Sequence, residues 1–312
     1  MFRILACRMI VPNMHILTVE APAVAREVQP GQFIIIRAEE EGERIPLSVS
    51  DWDRERGTVT TIFMSIGRTT HRLARLRSGE YLPTVVGPLG NASEIEHFGT
   101  VLLLGGCYGI GSLYPIARAL KEKGNRVFVV IEARSSYLFY WEDRYRMLVD
   151  GVHHITRDGS KGIKGHIGRV PEILASLGEP VNRVIINGCT FCLKRGSDAT
   201  RALGITTIVD LNPIMIDGTG MCGVCRVTVG GETKFACVQG PEFDGHEVDW
   251  EELSQRRKTY MAEEVIPLRT SKCEEHMHGE EHGRKEKHGQ AAAPGEPPGR
   301  ERKQPQHTGE VS

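Results

Sequence analysis

Val101-Leu-Leu-Leu-Gly105-Gly106-Cys107-Tyr-Gly109-Ile-Gly111 is the stretch on which the fold turns. Four apolar residues in a row, without alternation, predict a strand buried on both faces, as in a parallel sheet. The glycines that follow form a tight turn, and an amphipathic helix is expected from about Leu113 to Lys123. Strand, glycine turn and helix make the dinucleotide-binding arrangement. Gly105, Gly106, Gly109 and Gly111 would let the backbone approach a pyrophosphate, and the helix N-terminus would meet it with free N–H groups. The expected ligand is NAD(H).

Further strand–helix units downstream extend this reading: 126–131 with 137–148, 151–156 with 170–177, and 183–186 with 192–202, before a last strand at 205–209. Such alternation predicts a doubly wound parallel sheet, the α/β domain of residues 98–210. At the end of its second strand, Glu132 suits a ribose 2′-hydroxyl and favours NADH, whereas Arg134 suits a 2′-phosphate or is a solvated charge. Cys189-Thr-Phe-Cys192 is either a dithiol or two half-buried small apolar residues. Cys107 sits in the glycine turn.

Upstream, residues 1–97 show short apolar alternations punctuated by Gly and Pro. Strands at 10–19, 32–38, 45–49 and 58–63 predict a small antiparallel β barrel. Two polar groups interrupt it. Arg44-Ile-Pro46-Leu47-Ser48 places a guanidinium beside a Pro-stiffened strand, and Gly67-Arg-Thr69-Thr70-His71 opens a helix at 71–77 whose start would bind phosphate.

After 210 the texture changes again. Asp217 is followed by four residues and Cys222, then two and Cys225, then eleven and Cys237. This is the spacing of a 2Fe–2S cluster held by four thiolates, with a carboxylate in the first position. Carboxylate is anionic like thiolate, but it is a harder donor and can be protonated in acid. The expectation is a Cys3Asp cluster in a module of residues 211–246, closed by a hairpin turning at Gly230-Gly231. Zinc is the rival occupant. A polar amphipathic helix is expected over 247–270, with Trp250 and Leu253 on one side. The Glu-, Lys-, His- and Pro-rich tail of 271–312 is expected to be disordered.

Composition narrows the classes. The chain has 312 residues, net charge −1 and 25% charged residues, which argues against nucleic acid or a membrane surface as partner. No apolar run approaches the roughly 18–20 residues needed to span a bilayer. Arg8 breaks what would be a signal peptide's apolar core, and eight cysteines then point to a reducing, cytoplasmic setting.

Arg-x-Pro-Leu-Ser, Gly-x-Thr-Thr and Gly87-Pro-Leu-Gly-Asn91 together resemble the flavin domain of the ferredoxin–NADP reductase superfamily. The likeness is nearer to the electron-transfer subunit of dihydroorotate dehydrogenase. Asn212-Pro-Ile-Met-x-Asp-Gly-Thr-Gly-Met-Cys-Gly-x-Cys225 and Ala236-Cys-Val-x-Gly-Pro-Glu-Phe-Asp-Gly-His246 are similar to the small subunit of NADH-dependent ferredoxin–NADP oxidoreductase, also called a sulfide dehydrogenase subunit. The resemblance covers about residues 1–270 and implies FAD held by Arg44, Pro46, Leu47, Ser48, Thr69 and Thr70, with Ile62, Phe63 and Met64 lining the ring. It implies the metal ligands Asp217, Cys222, Cys225 and Cys237. It further implies a heterodimer with a larger, glutamate-synthase-like flavin and iron–sulfur subunit, an electron-bifurcating enzyme in which this chain is the NADH-side relay, and ferredoxin and NADP reached through the partner. The alternatives are a dihydroorotate or sulfide/polysulfide dehydrogenase subunit, or a zinc-binding scaffold on a degenerate reductase fold.

Overall fold

The computed structural model describes residues 1–260. The end of the helix expected over 247–270, and the tail expected over 271–312, lie outside the described residues.

The first half folds as expected into an antiparallel barrel. Its elements are β1 (Phe2–Val11), β2 (Met14–Glu20), α1 (Pro22–Glu27), β3 (Phe33–Arg37), β4 (Ile45–Asp53), β5 (Thr58–Met64), α2 (Arg68–Arg75), β6 (Tyr81–Leu82) and β7 (Thr84–Leu89). The seven strands run in the order β6-β1-β2-β5-β4-β3-β7. Only Pro83 separates β6 from β7, so the chain itself joins the two edges of the sheet. Alternate residues point inward, and Ile4, Leu17, Val19, Ile34, Ile36, Val49, Val59 and Leu82 make the core.

Two sequence expectations change here. The single strand expected over 10–19 is a hairpin: Pro12-Asn13 turns the chain, with Asn13 in the left-handed region at φ 63°. The helix expected at 71–77 begins earlier, at Arg68. Thr70 Oγ1 accepts from the Gly67 N–H at 2.9 Å and caps the first turn.

The second half is built from β8 (Thr100–Gly106), α3 (Gly109–Glu122), β9 (Arg126–Ala133), α4 (Glu142–Arg146), β10 (Gly151–Thr156), β11 (Ile163–Lys164), α5 (Val170–Ser176), β12 (Arg183–Asn187), α6 (Thr190–Arg201) and β13 (Thr206–Asp210). The chain continues through β14 (Arg226–Val229), β15 (Glu232–Phe235), α7 (Ala236–Gln239), β16 (Glu242–Asp244) and α8 (Trp250–Arg256). The sheet order is β11-β10-β9-β8-β12-β13-β16, parallel except for the last strand. All of Val101–Leu104 is fully buried. Val101 and Leu103 pack with Leu113, Ile116 and Leu120 of α3, while Leu102 and Leu104 face Ile173 and Leu193.

The sheet does not end at 205–209 as expected, because β16 adds an antiparallel edge strand to β13. The helix expected over 137–148 is a short turn at Ser136–Leu138 and the one-turn α4. Trp141, at φ 58°, interrupts it. Among the described residues no helix is long and apolar enough to cross a membrane.

Candidate functional site

The strand order reverses between β8 and β12, and in open α/β sheets ligands bind outside the carboxyl ends at that crevice. Here the barrel closes over the crevice. The seam holds a cavity of about 230 Å³. Its barrel wall is Phe33, Pro46, Leu47, Ser48, Ile62, Phe63, Met64, Ile66 and Thr70; its other wall is Tyr108, Asn187, Asp210, Leu211, Asn212, Pro213, Met215 and Pro241. A mostly apolar slot with polar groups at one end suits a flat aromatic ring system.

Of the flavin residues expected from the sequence, Pro46, Leu47, Ser48, Ile62, Phe63, Met64 and Thr70 lie on this cavity, and Arg44 and Thr69 do not. Arg44 is exposed on the chain entering β4. The Thr69 hydroxyl donates to Glu43, in a small cleft that also includes Arg68 and Arg72. The Thr70 hydroxyl accepts from Gly67 and Ile66 N–H and donates to Gly67 carbonyl, so it shapes the start of α2.

The glycine turn is tightly packed against the protein. A Cβ on Gly109 would stand 2.0 Å from the Asn187 carbonyl oxygen, and one on Gly111 2.7 Å from Ile62 Cδ1 of the barrel. On Gly105 it would meet Ile110 Cα at 3.0 Å, and on Gly106 the Cys192 sulfur at 3.0 Å. The Tyr140 hydroxyl accepts from Gly111 N–H at 3.0 Å and donates to the Cys107 carbonyl at 2.7 Å. These glycines bring β8, β12 and the barrel together. Glu132 is buried, with Arg157 Nε 3.2 Å away, so its carboxylate already has a protein partner. Arg134 is exposed.

Sequence reasoning missed the polar end of the cavity. Asn212 Nδ2 donates to the Tyr108 hydroxyl (2.6 Å) and to the Gly188 carbonyl (2.9 Å), and Tyr108 donates to that same carbonyl at 2.9 Å. Asn187 Nδ2 donates to Asp210 Oδ2 at 2.5 Å. Burial, reinforced by Glu242, pushes the Asp210 carboxyl up to about 8. The apolar run ending at Asp210 read only as a strand, and nothing in it marks the carboxyl as facing a cavity.

Leu211, Asn212, Pro213 and Met215 line the cavity, and the chain leads directly from them into the cysteine loop. The β14–β15 hairpin returns the chain so that Cys225 and Cys237, both buried, have their sulfurs 3.1 Å apart. Asp217 accepts from Thr219 N–H (2.6 Å) and Cys222 N–H (2.7 Å), and these backbone donors hold its carboxyl below the usual range. Cys222 is exposed. Among the described residues no three His, Cys, Asp or Glu side chains converge on one point. The donor types nevertheless fit a thiolate-held iron–sulfur cluster, and Gly218, Gly220 and Gly223, all at positive φ, fold the loop back on itself.

The model of the family described as "Iron-sulfur cluster binding domain of dihydroorotate dehydrogenase B" matches residues 212–249. The chain is 46% identical over 248 residues to the "Dihydroorotate dehydrogenase B (NAD(+)), electron transfer subunit homolog" of Thermotoga maritima, covering 80% of this chain and 87% of that protein. It is 28% identical over 258 residues to the electron transfer subunit of Enterococcus faecalis dihydroorotate dehydrogenase B, covering 80% and 97%. A chain of the NADH-dependent reduced ferredoxin–NADP oxidoreductase structure, solved for insight into flavin-based electron bifurcation, superposes with TM-score 0.81 at 42% identity, covering 86% of this chain and 96% of that one. A Neisseria gonorrhoeae ferredoxin NADP+ reductase with bound FAD and NADP shares the fold, at TM-score 0.55 and 15% identity, over 65% of this chain and 90% of that one. With its barrel, its doubly wound sheet and its C-terminal cysteine loop, the chain belongs to the family of dihydroorotate dehydrogenase B electron transfer subunits.

Proposed function

We propose that this chain is the NADH-side electron relay of a larger flavin and iron–sulfur oxidoreductase, with FAD in the seam cavity and a 2Fe–2S cluster in the 217–237 loop. The observation that carries this reading is continuity: Leu211, Asn212, Pro213 and Met215 form part of one wall of the cavity, and two residues further on Asp217 begins the cluster loop. A flavin would supply the conversion of a hydride's two electrons into single ones, and the cluster their onward transfer.

The chain's own residues would do the rest. Pro46, Leu47, Ile62, Phe63 and Met64 enclose an apolar ring and exclude water, with Ser48 and Thr70 at its margin. The exposed Arg44 and the start of α2 are the cationic and N–H groups nearest in sequence for a pyrophosphate. Gly105, Gly106, Gly109 and Gly111 would seat the NADH-facing turn. The Tyr108–Asn212–Gly188 network fixes the seam, and Asp210 keeps its proton in neutral solution beside the cavity. Asp217, Cys222, Cys225 and Cys237 would ligate iron.

Ile216, Met221 and Val238 are exposed around the loop, with Met221 89% accessible. Apolar side chains in water beside a redox centre support a docking face for a larger partner subunit. The relatives' names leave two net reactions: NADH-linked exchange between ferredoxin and NADP through the partner, or dihydroorotate oxidation. Asp217 in the first ligand position favours the former over a four-cysteine site. The test is anaerobic purification of the full chain with its bound partner, followed by assay of both reactions. A larger flavin and iron–sulfur polypeptide and ferredoxin-dependent NADP reduction support the proposal; dihydroorotate oxidation selects the second reaction. A colourless chain carrying zinc would overturn both.

A further inference from the structure

A second group of sulfurs lies at the carboxyl end of the parallel sheet beside the glycine turn, where a Cβ on Gly106 would stand 3.0 Å from the Cys192 sulfur. Cys189 caps α6 and Cys192 sits in its first turn. Their sulfurs are 3.5 Å apart, Cys189 half-buried and Cys192 buried. The Cys192 sulfur is also 3.4 Å from Glu132 Oε2, whose carboxylate pairs with Arg157. We propose that Cys189 and Cys192 are a redox-active dithiol that exchanges with small disulfides.

A Cys-x-x-Cys at a helix N-terminus is the arrangement that favours a thiolate on the outer cysteine. Here the hydrogen bond between the two sulfurs, against burial, lowers the Cys189 thiol to about 6. Its bond to Cys189 and its burial raise Cys192, which remains the protonated partner. Cys107, the third thiol nearby, is raised to about 11 by burial and stays protonated.

The chemistry balances. The Cys189 sulfur attacks one sulfur of a disulfide RSSR, the S–S bond breaks, and RS⁻ leaves and takes up a proton. Cys192 then passes its proton to Glu132 while its sulfur attacks the Cys189 sulfur. The second RS⁻ leaves and collects that proton. Two protein thiols lose two electrons and two protons, and RSSR becomes two RSH.

The full-length holoprotein is incubated anaerobically with oxidised glutathione, acid-quenched, alkylated and mapped by mass spectrometry. Wild type is expected to show a Cys189–Cys192 cross-linked peptide. Cys192→Ser, with Cys192→Ala as a second variant of the buried position, is expected to hold glutathione on Cys189; Cys189→Ser is expected to show neither product. Unmodified Cys189 in wild type and in both Cys192 variants would overturn the proposal, and so would a bridge from Cys107.

Discussion

Cys225 and Cys237 are separated by eleven intervening residues, yet their sulfurs lie 3.1 Å from each other in a site that water barely reaches. The β14–β15 hairpin accounts for this, since Arg226 pairs with Phe235 and sets the two flanking cysteines face to face.

Replacing either buried thiol should empty the cluster site. Cys225→Ser and Cys237→Ser are expected to lower iron per chain to background, measured on anaerobically purified protein. Asp217→Ala should lose most of its iron, because the carboxylate is a ligand on the proposed reading and also orders the loop through Thr219 and Cys222 N–H. Asp217→Cys should keep iron and shift the reduced-cluster EPR signal.

The apolar rim of the loop should carry the partner. Met221→Glu puts a charge at the most exposed of its apolar positions. A loss of roughly 2 kcal/mol, about thirtyfold in affinity, is expected. Size-exclusion of the complex reads it, and iron content should be unchanged.

Asp210 gives the fold a pH dependence of definite sign. Its carboxyl titrates near 8 in the folded protein, pushed up by burial and by Glu242, against about 3.9 when unfolded. Between those values the folded state binds the extra proton, so stability falls as pH rises, by up to about 1.4 kcal/mol per pH unit, and levels off above 8. Asp210→Asn should flatten the decline in thermal midpoint between pH 5 and pH 8. An unchanged slope would place the proton elsewhere.

Gly109 should tolerate no side chain. A Cβ there would meet Asn187 backbone atoms at 2.0 and 2.3 Å, which cannot swing aside. Gly109→Ala is expected to exceed the usual cost of about 1–3 kcal/mol for overpacking. Gly111→Ala meets the flexible end of Ile62 and should cost less. Thermal unfolding of the two variants compares them.

Periodicity and punctuation made the architecture legible. Val101–Leu104 read as a strand covered on both sides, and it is one. What stayed hidden was chiefly non-local. The Pro12-Asn13 hairpin was concealed because its flanking strands look like one apolar run. β16 was concealed because a strand of three residues, Glu242–Asp244, has no period of its own and exists only by pairing with β13. At the site, the cysteine spacing could be read directly, since its chemistry is local, while Pro46-Leu-Ser48 was expected there only through the family resemblance. Tyr108, Asn187, Asp210 and Asn212 could not, because they come from three separate chain segments and become one polar cluster only when the sheet closes on the barrel. The glycine turn was read as a ligand cradle, and its packing against Asn187 and Ile62 required the fold.

The most direct measurement of the central claim is the visible and EPR spectrum of the anaerobic protein before and after NADH. The account predicts a flavin band with iron–sulfur shoulders that NADH bleaches, together with a rhombic signal from the reduced cluster. Bleaching of the flavin with no cluster signal, or no response to NADH at all, would contradict a relay from nicotinamide to iron.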